Sequence, residues 1–154
     1  MSDITPSRAY LLRALYEWLL DNDLTPHVAV DSLVKDTDVP QQFVNDGQIT
    51  LNIAPGAVRD LHIDNEAISF NARFAGQPTA VYLPMASILA IFARESGVGM
   101  GFGMEPGAEP LNLALERAHN GGDGDEGVTT VANSDSKTES KPKAFNRPGL
   151  RVVK

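Results

Sequence analysis

From His27 to Pro84 apolar and polar residues alternate with a period of two, in short runs separated by turn residues. A run of that kind buries one face of a strand and leaves the other wet. "HVAVDS" is the first such run, followed by a polar loop holding Lys35, Asp36, Asp38 and Pro40. The turn "NDG" leads into "QITLNIAP", where Ile49, Leu51 and Ile53 alternate with Gln48, Thr50 and Asn52. "LHID", the turn residues Asn65 and Glu66, and "AISFNARF" read as a hairpin, and "GQP" turns the chain into "TAVYLP". "MASILAIFARES" then predicts a short helix through Ile88, Leu89, Ile91 and Phe92, and "GVGMGFG" closes the body. About five short antiparallel strands with polar turns at close spacing predict a small, strongly bent sheet or half-barrel, and an α+β domain.

Ahead of the strands, "TPSRAYLLRALYEWLLDNDLTP" predicts a helix with Thr5 as N-cap and Pro6 at the first helical position. Thr25 and Pro26 end the segment. Only Arg13, Glu17 and Asp21 form a polar stripe, so the helix is apolar around most of its circumference, more than one core contact needs. Two accounts stand: burial within its own domain, or a homodimer seam that includes Tyr10, Leu11, Ala14, Leu15 and Trp18.

Patterning stops after Met104. "LNLALERA" allows a transient helical turn or two, and the Gly-, Asp- and Ser-rich remainder cannot bury enough apolar surface to offset its ordering entropy. The expected organisation is therefore a folded domain over 1–104, a flexible acidic linker over 105–146 and a distinct ending over 147–154. Charge follows the same division. Residues 1–104 hold 12 acids and 6 bases, 105–140 hold 8 acids and 2 bases, and 141–154 hold 5 bases and no acid. An acidic body disfavours sequence-independent phosphate binding. The ending, "RPGLRVVK", joins cations to Leu150, Val152 and Val153, which a merely solubilising tail would not need.

Chemistry finds few candidates. The chain has no Cys, and His27, His62 and His119 are scattered, so neither thiolate chemistry nor a metal site is expected. No nucleophile elbow or His-Glu-x-x-His helix occurs. "GVGMGFG" lacks the Lys-Ser/Thr of a phosphate loop and reads as a flexible exit. No run approaches the ~18 apolar residues of a membrane span, and no secretory leader is visible, so a cytoplasmic location is expected. "SFNARFAGQP" is more informative. Phe70, Ala72 and Phe74 face one way in a strand, with Asn71 and Arg73 facing the other. A small residue, an amide, a guanidinium and Gly76 suit close approach of an extended peptide, although a half-buried strand with a polar outer face explains the same pattern.

"RAYLLRALYEWLLDNDLTPHVAVD", "DGQITLNIAP", "ISFNARFAGQP" and "ASILAIFARE", closed by "RPGLRVVK", resemble the stringent starvation protein B family over residues 5–104 and the last eight residues. The resemblance implies a non-catalytic adaptor of the ClpXP protease with no cofactor of its own. It implies a domain like the Sm-like β fold whose groove holds the ssrA tag (AANDENYALAA-like) added to stalled nascent chains. It implies dimerisation through the first helix, and docking of the C-terminal peptide on the zinc-binding N-terminal domain of ClpX. The groove maps onto Phe70, Asn71, Ala72, Arg73 and Phe74, with Val44, Ile49, Leu51 and Ile53 as further candidates that could equally be core. The docking peptide maps onto Leu150, Arg151, Val152, Val153 and Lys154. A linker of about 40 residues spans roughly 35 Å as a flexible coil, which would hold a tethered substrate near millimolar concentration at the protease. Two other classes stay open. An Sm-like fold can serve as an RNA- or ribosome-associated binding protein, against which the acidic body argues; a small hydrolase would need a nucleophile–base pair that the sequence does not offer.

Overall fold

The computed structural model describes residues 4–120. Helix α1 (Arg8–Asp21) comes first, followed by β1 (Pro26–Asp31), a 3-10 turn (Gln41–Phe43), β2 (Gln48–Asn52), β3 (Val58–Ile63), β4 (Ala67–Phe74) and β5 (Gln77–Pro84). A second 3-10 turn (Met85–Ser87) leads into β6 (Ile88–Ala93), β7 (Gly99–Gly101) and helix α2 (Glu109–His119). The strands form two antiparallel sheets, β2-β1-β6-β7 and β3-β4-β5. The expected α+β class and antiparallel pairing hold, but the sheet is divided and has seven strands rather than about five.

One core fills the space between the sheets and α1. Val28 and Val30 of β1 pair with Leu51 and Ile49 on one side and with Ile91 and Ile88 on the other. These side chains join Ile68, Phe70, Val81 and Leu83 of the second sheet in a single buried cluster. Helix α1 closes it with Ala9, Leu12 and Leu19, and Leu15 and Tyr16 pack at its margin.

Three local expectations are corrected. Helix α1 begins at Arg8, not after Thr5; Ser7 takes the N-cap position without capping the helix, its hydroxyl donating instead to the Pro106 carbonyl at 2.6 Å. Residues 88–93 form a strand rather than a helix. A short apolar run does not reveal its period, and here Ile88 and Ile91 complete the inner face of a central strand between β1 and β7. The glycine run is not an exit but the edge strand β7. A Cβ at Gly99 would lie 2.0 Å from the Ile91 carbonyl oxygen, so only glycine lets β7 approach β6.

The ordered body also runs past Met104, through residues whose composition reads as linker. The Glu105 side chain, 5% exposed, accepts a hydrogen bond from Arg8 Nε at 2.7 Å. Asn112 Nδ2 donates to the Gly103 carbonyl at 2.8 Å, and His119 at the end of α2 reaches the buried Asp31 carboxylate. Composition alone does not show this, because the partners lie 97 and 88 residues apart.

Candidate functional site

Strand β4 is the middle strand of its sheet, with Ala72 opposite Val58 on β3 and Thr79 on β5. Alternation divides its candidates between two surfaces. Phe70 is buried on the inner face, and Ala72 and Phe74 follow it there, half-buried against the core. Asn71 and Arg73 are exposed on the outer face. Asn71 Nδ2 lies 3.4 Å from Asp60 Oδ2, and Arg73 Nη1 donates to the Gly76 carbonyl at 3.1 Å. The five residues therefore do not line one surface.

What gathers on the inner face at the end of β4 is a half-buried apolar patch, the β4 hollow. Phe43, 45% exposed, sets its ring 5.8 Å from that of Phe74, and Val44 follows it, half-buried. Between Phe70 and Phe74 on this face stands Ala72, half-buried, whose side chain is a single methyl group and takes up less of the surface there than a larger side chain would. Val44 stays half-buried at the margin of the core, whereas Ile49, Leu51 and Ile53 are core residues with 6%, 3% and no exposed surface. Phe43 was not among the candidates; its signal was an aromatic stranded in the polar stretch "PQQFVNDG". The hollow holds no nucleophile–base pair, and no cluster of His, Asp and Glu suited to a metal ion occurs among the described residues.

A separate cleft of about 610 Å3 runs between α2 and residues 33–35, lined by Leu33, Val34, Pro84, Ala86, Ala114 and Ala118 with Lys35 and Arg117. It shares no residue with the β4 hollow.

On α1, Tyr10 (52% exposed), Ala14 and Trp18 (46% exposed) form an outward stripe with successive spacing of four, and the half-buried Leu11 lies beside it. Leu15 turns inward and packs on the core. The Arg13 guanidinium lies 4.7 Å from the centre of the Tyr10 ring and donates to the Ile63 carbonyl at 2.8 Å and to Asn65 Oδ1 at 3.0 Å. The stripe is thereby strapped to the β3–β4 turn. Leu150, Arg151, Val152, Val153 and Lys154 lie outside the described residues. No helix among the described residues is long and apolar enough to cross a membrane.

A family model described as stringent starvation protein B matches residues 6–154. A stringent starvation protein B homolog of Haemophilus influenzae is 39% identical over 149 residues, covering 97% of this chain and 96% of the relative. The chain therefore belongs to the stringent starvation protein B family.

Proposed function

We propose that the protein is a proteolytic adaptor that binds ssrA-tagged polypeptides in the β4 hollow and tethers them to the ClpX unfoldase of ClpXP. The observation that carries the peptide-binding half is the hollow itself. A small residue, Ala72, stands half-buried between Phe70 and Phe74, with the exposed Phe43 ring against Phe74, and no catalytic constellation accompanies it. An extended peptide needs such a shallow apolar seat, since its backbone must approach closely before its side chains can be read.

The tethering half rests on the chain's ending. Residues 150–154 combine three apolar side chains with two cations. Apolar anchors beside positive charge suit a partner groove with an acidic rim. On this reading two copies associate through the Tyr10–Ala14–Trp18 stripe, which gives one assembly two hollows and two endings.

Degradation of an ssrA-tagged substrate by ClpXP at limiting substrate concentration tests the reading. The full chain should accelerate it, and a chain lacking residues 150–154 should not. Acceleration by the truncated chain would move delivery to the body and end the tether proposal.

A further inference from the structure

Strand β5 is an edge strand, and Asp38 covers part of its outer edge. The Asp38 N–H donates to the Tyr82 carbonyl at 2.9 Å, and the Tyr82 N–H donates to the Asp38 carbonyl at 3.0 Å. Backbone groups point to alternate sides along a strand, so Ala80 turns its N–H and C=O to the same outer edge as Tyr82. Neither group has a hydrogen-bond partner among the described residues. Pro78, next along the edge, has no N–H to satisfy. After Asp38 the chain turns away through Pro40 into the 3-10 turn Gln41–Phe43, so the pairing begun at Tyr82 stops short of Ala80.

The open stretch lies beside the hollow. Thr79, between Pro78 and Ala80, is the cross-strand partner of Ala72, and Gln77 is that of Phe74. The Phe43 ring, reached from Asp38 along the same loop, meets Phe74 from the other direction. At the hairpin tip Arg73 is exposed and has no acidic partner among the described residues.

We infer that a bound peptide adds as a strand to the β5 edge at Ala80, continuing the line that Asp38 begins. The inference rests on the peptide-binding reading and specifies how that site holds its ligand. Main-chain bonds to Ala80 supply sequence-independent affinity, and alternate side chains of the peptide supply selectivity. Those turned inward meet Phe43, Phe74 and Ala72, so they are small or apolar. Those turned outward at the hairpin tip meet Arg73, so an acid is favoured there. This accounts for a site whose apolar and cationic residues occupy opposite faces of one sheet: an added strand presents side chains to both.

Amide exchange, followed residue by residue on the full chain, tests it with a labelled AANDENYALAA peptide as the probe. Saturating peptide should slow exchange at Ala80 about tenfold or more while leaving the amides of α2 unchanged. Ala80→Pro removes the donor at an edge position that tolerates proline, and should weaken peptide binding roughly five- to tenfold with an unaltered circular-dichroism spectrum. Peptide binding without protection at Ala80 would overturn the strand-addition inference and leave the peptide-binding reading standing. A peptide that does not bind the wild-type chain at all would overturn both.

Discussion

Arg8 is 3% exposed, and its guanidinium is spent entirely within the fold. It donates to Glu105 at 2.7 Å and to the carbonyls of Met85 and Ile88 at 3.0 and 3.2 Å, and lies 5.3 Å from the centre of the Phe102 ring. Burying a charge costs several kcal/mol, which only close partners offset. Glu105→Ala strands the cation and should cost about 3–5 kcal/mol in urea unfolding. Acid should also loosen this structure. Burial raises the Glu105 carboxyl, but the Gly103 N–H and Arg8 outweigh it and hold the group below its ordinary 4.5. The Thr25 hydroxyl and N–H hold Glu95 at about 2. Burial, then Arg94, push the His27 imidazole below 6.5 against the opposing pull of Glu95. In each case the folded state binds fewer protons than the unfolded chain, so stability falls as pH falls. The thermal midpoint should therefore decline first below 6.5, as His27 becomes charged in the unfolded chain, and again from 4.5 towards 2, as the carboxylates are neutralised. A midpoint constant from pH 7 to pH 3 would contradict these assignments.

Among the elements, β7 depends most on one residue. A Cβ at Gly99 would also sit 2.5 Å from the Phe92 Cα, and backbone cannot yield as a side-chain tip does. Gly99→Ala should cost about 1–3 kcal/mol, the usual penalty of overpacking, and raise exchange in the β6–β7 ladder. Helix α1 carries the second element-scale prediction: Trp18→Asp should leave the monomer fold intact, because Trp18 is not part of the core, yet convert a dimer to a monomer in sedimentation. A wild-type chain that sediments as a monomer at micromolar concentration would contradict the seam. These elements also show where sequence reasoning succeeds. Strands β1 to β5 were legible because alternation and turn residues mark both their faces and their ends. The β6 run was not, since inner and outer positions are both apolar once β1 and β7 flank it. Helix α2 was read only as a transient turn or two because the partner of its last residue, Asp31, is remote in sequence. At the site, Ala72 and Phe74 could be read from β4 alone, whereas Phe43 comes to them only through the tertiary path of its loop.

For the whole molecule, the account assigns two separate tasks to two parts of the chain. On the proposed function the hollow on the sheet binds a peptide, and residues 150–154, outside the described residues, bind the protease. Removing the ending should therefore leave the thermal midpoint and peptide affinity unchanged while abolishing accelerated degradation. Shortening the segment between them by a few residues should matter much less, because loop-closure entropy varies slowly with length. The most direct test of the central claim is an anisotropy titration of a fluorescent AANDENYALAA peptide with the wild-type chain and with Ala72→Gln, both checked for folding by circular dichroism. The account predicts saturable binding by the wild type and its loss in the variant, whose larger side chain replaces the Ala72 methyl group between Phe70 and Phe74; equal affinity for both folded chains would show that the β4 hollow is not the peptide site.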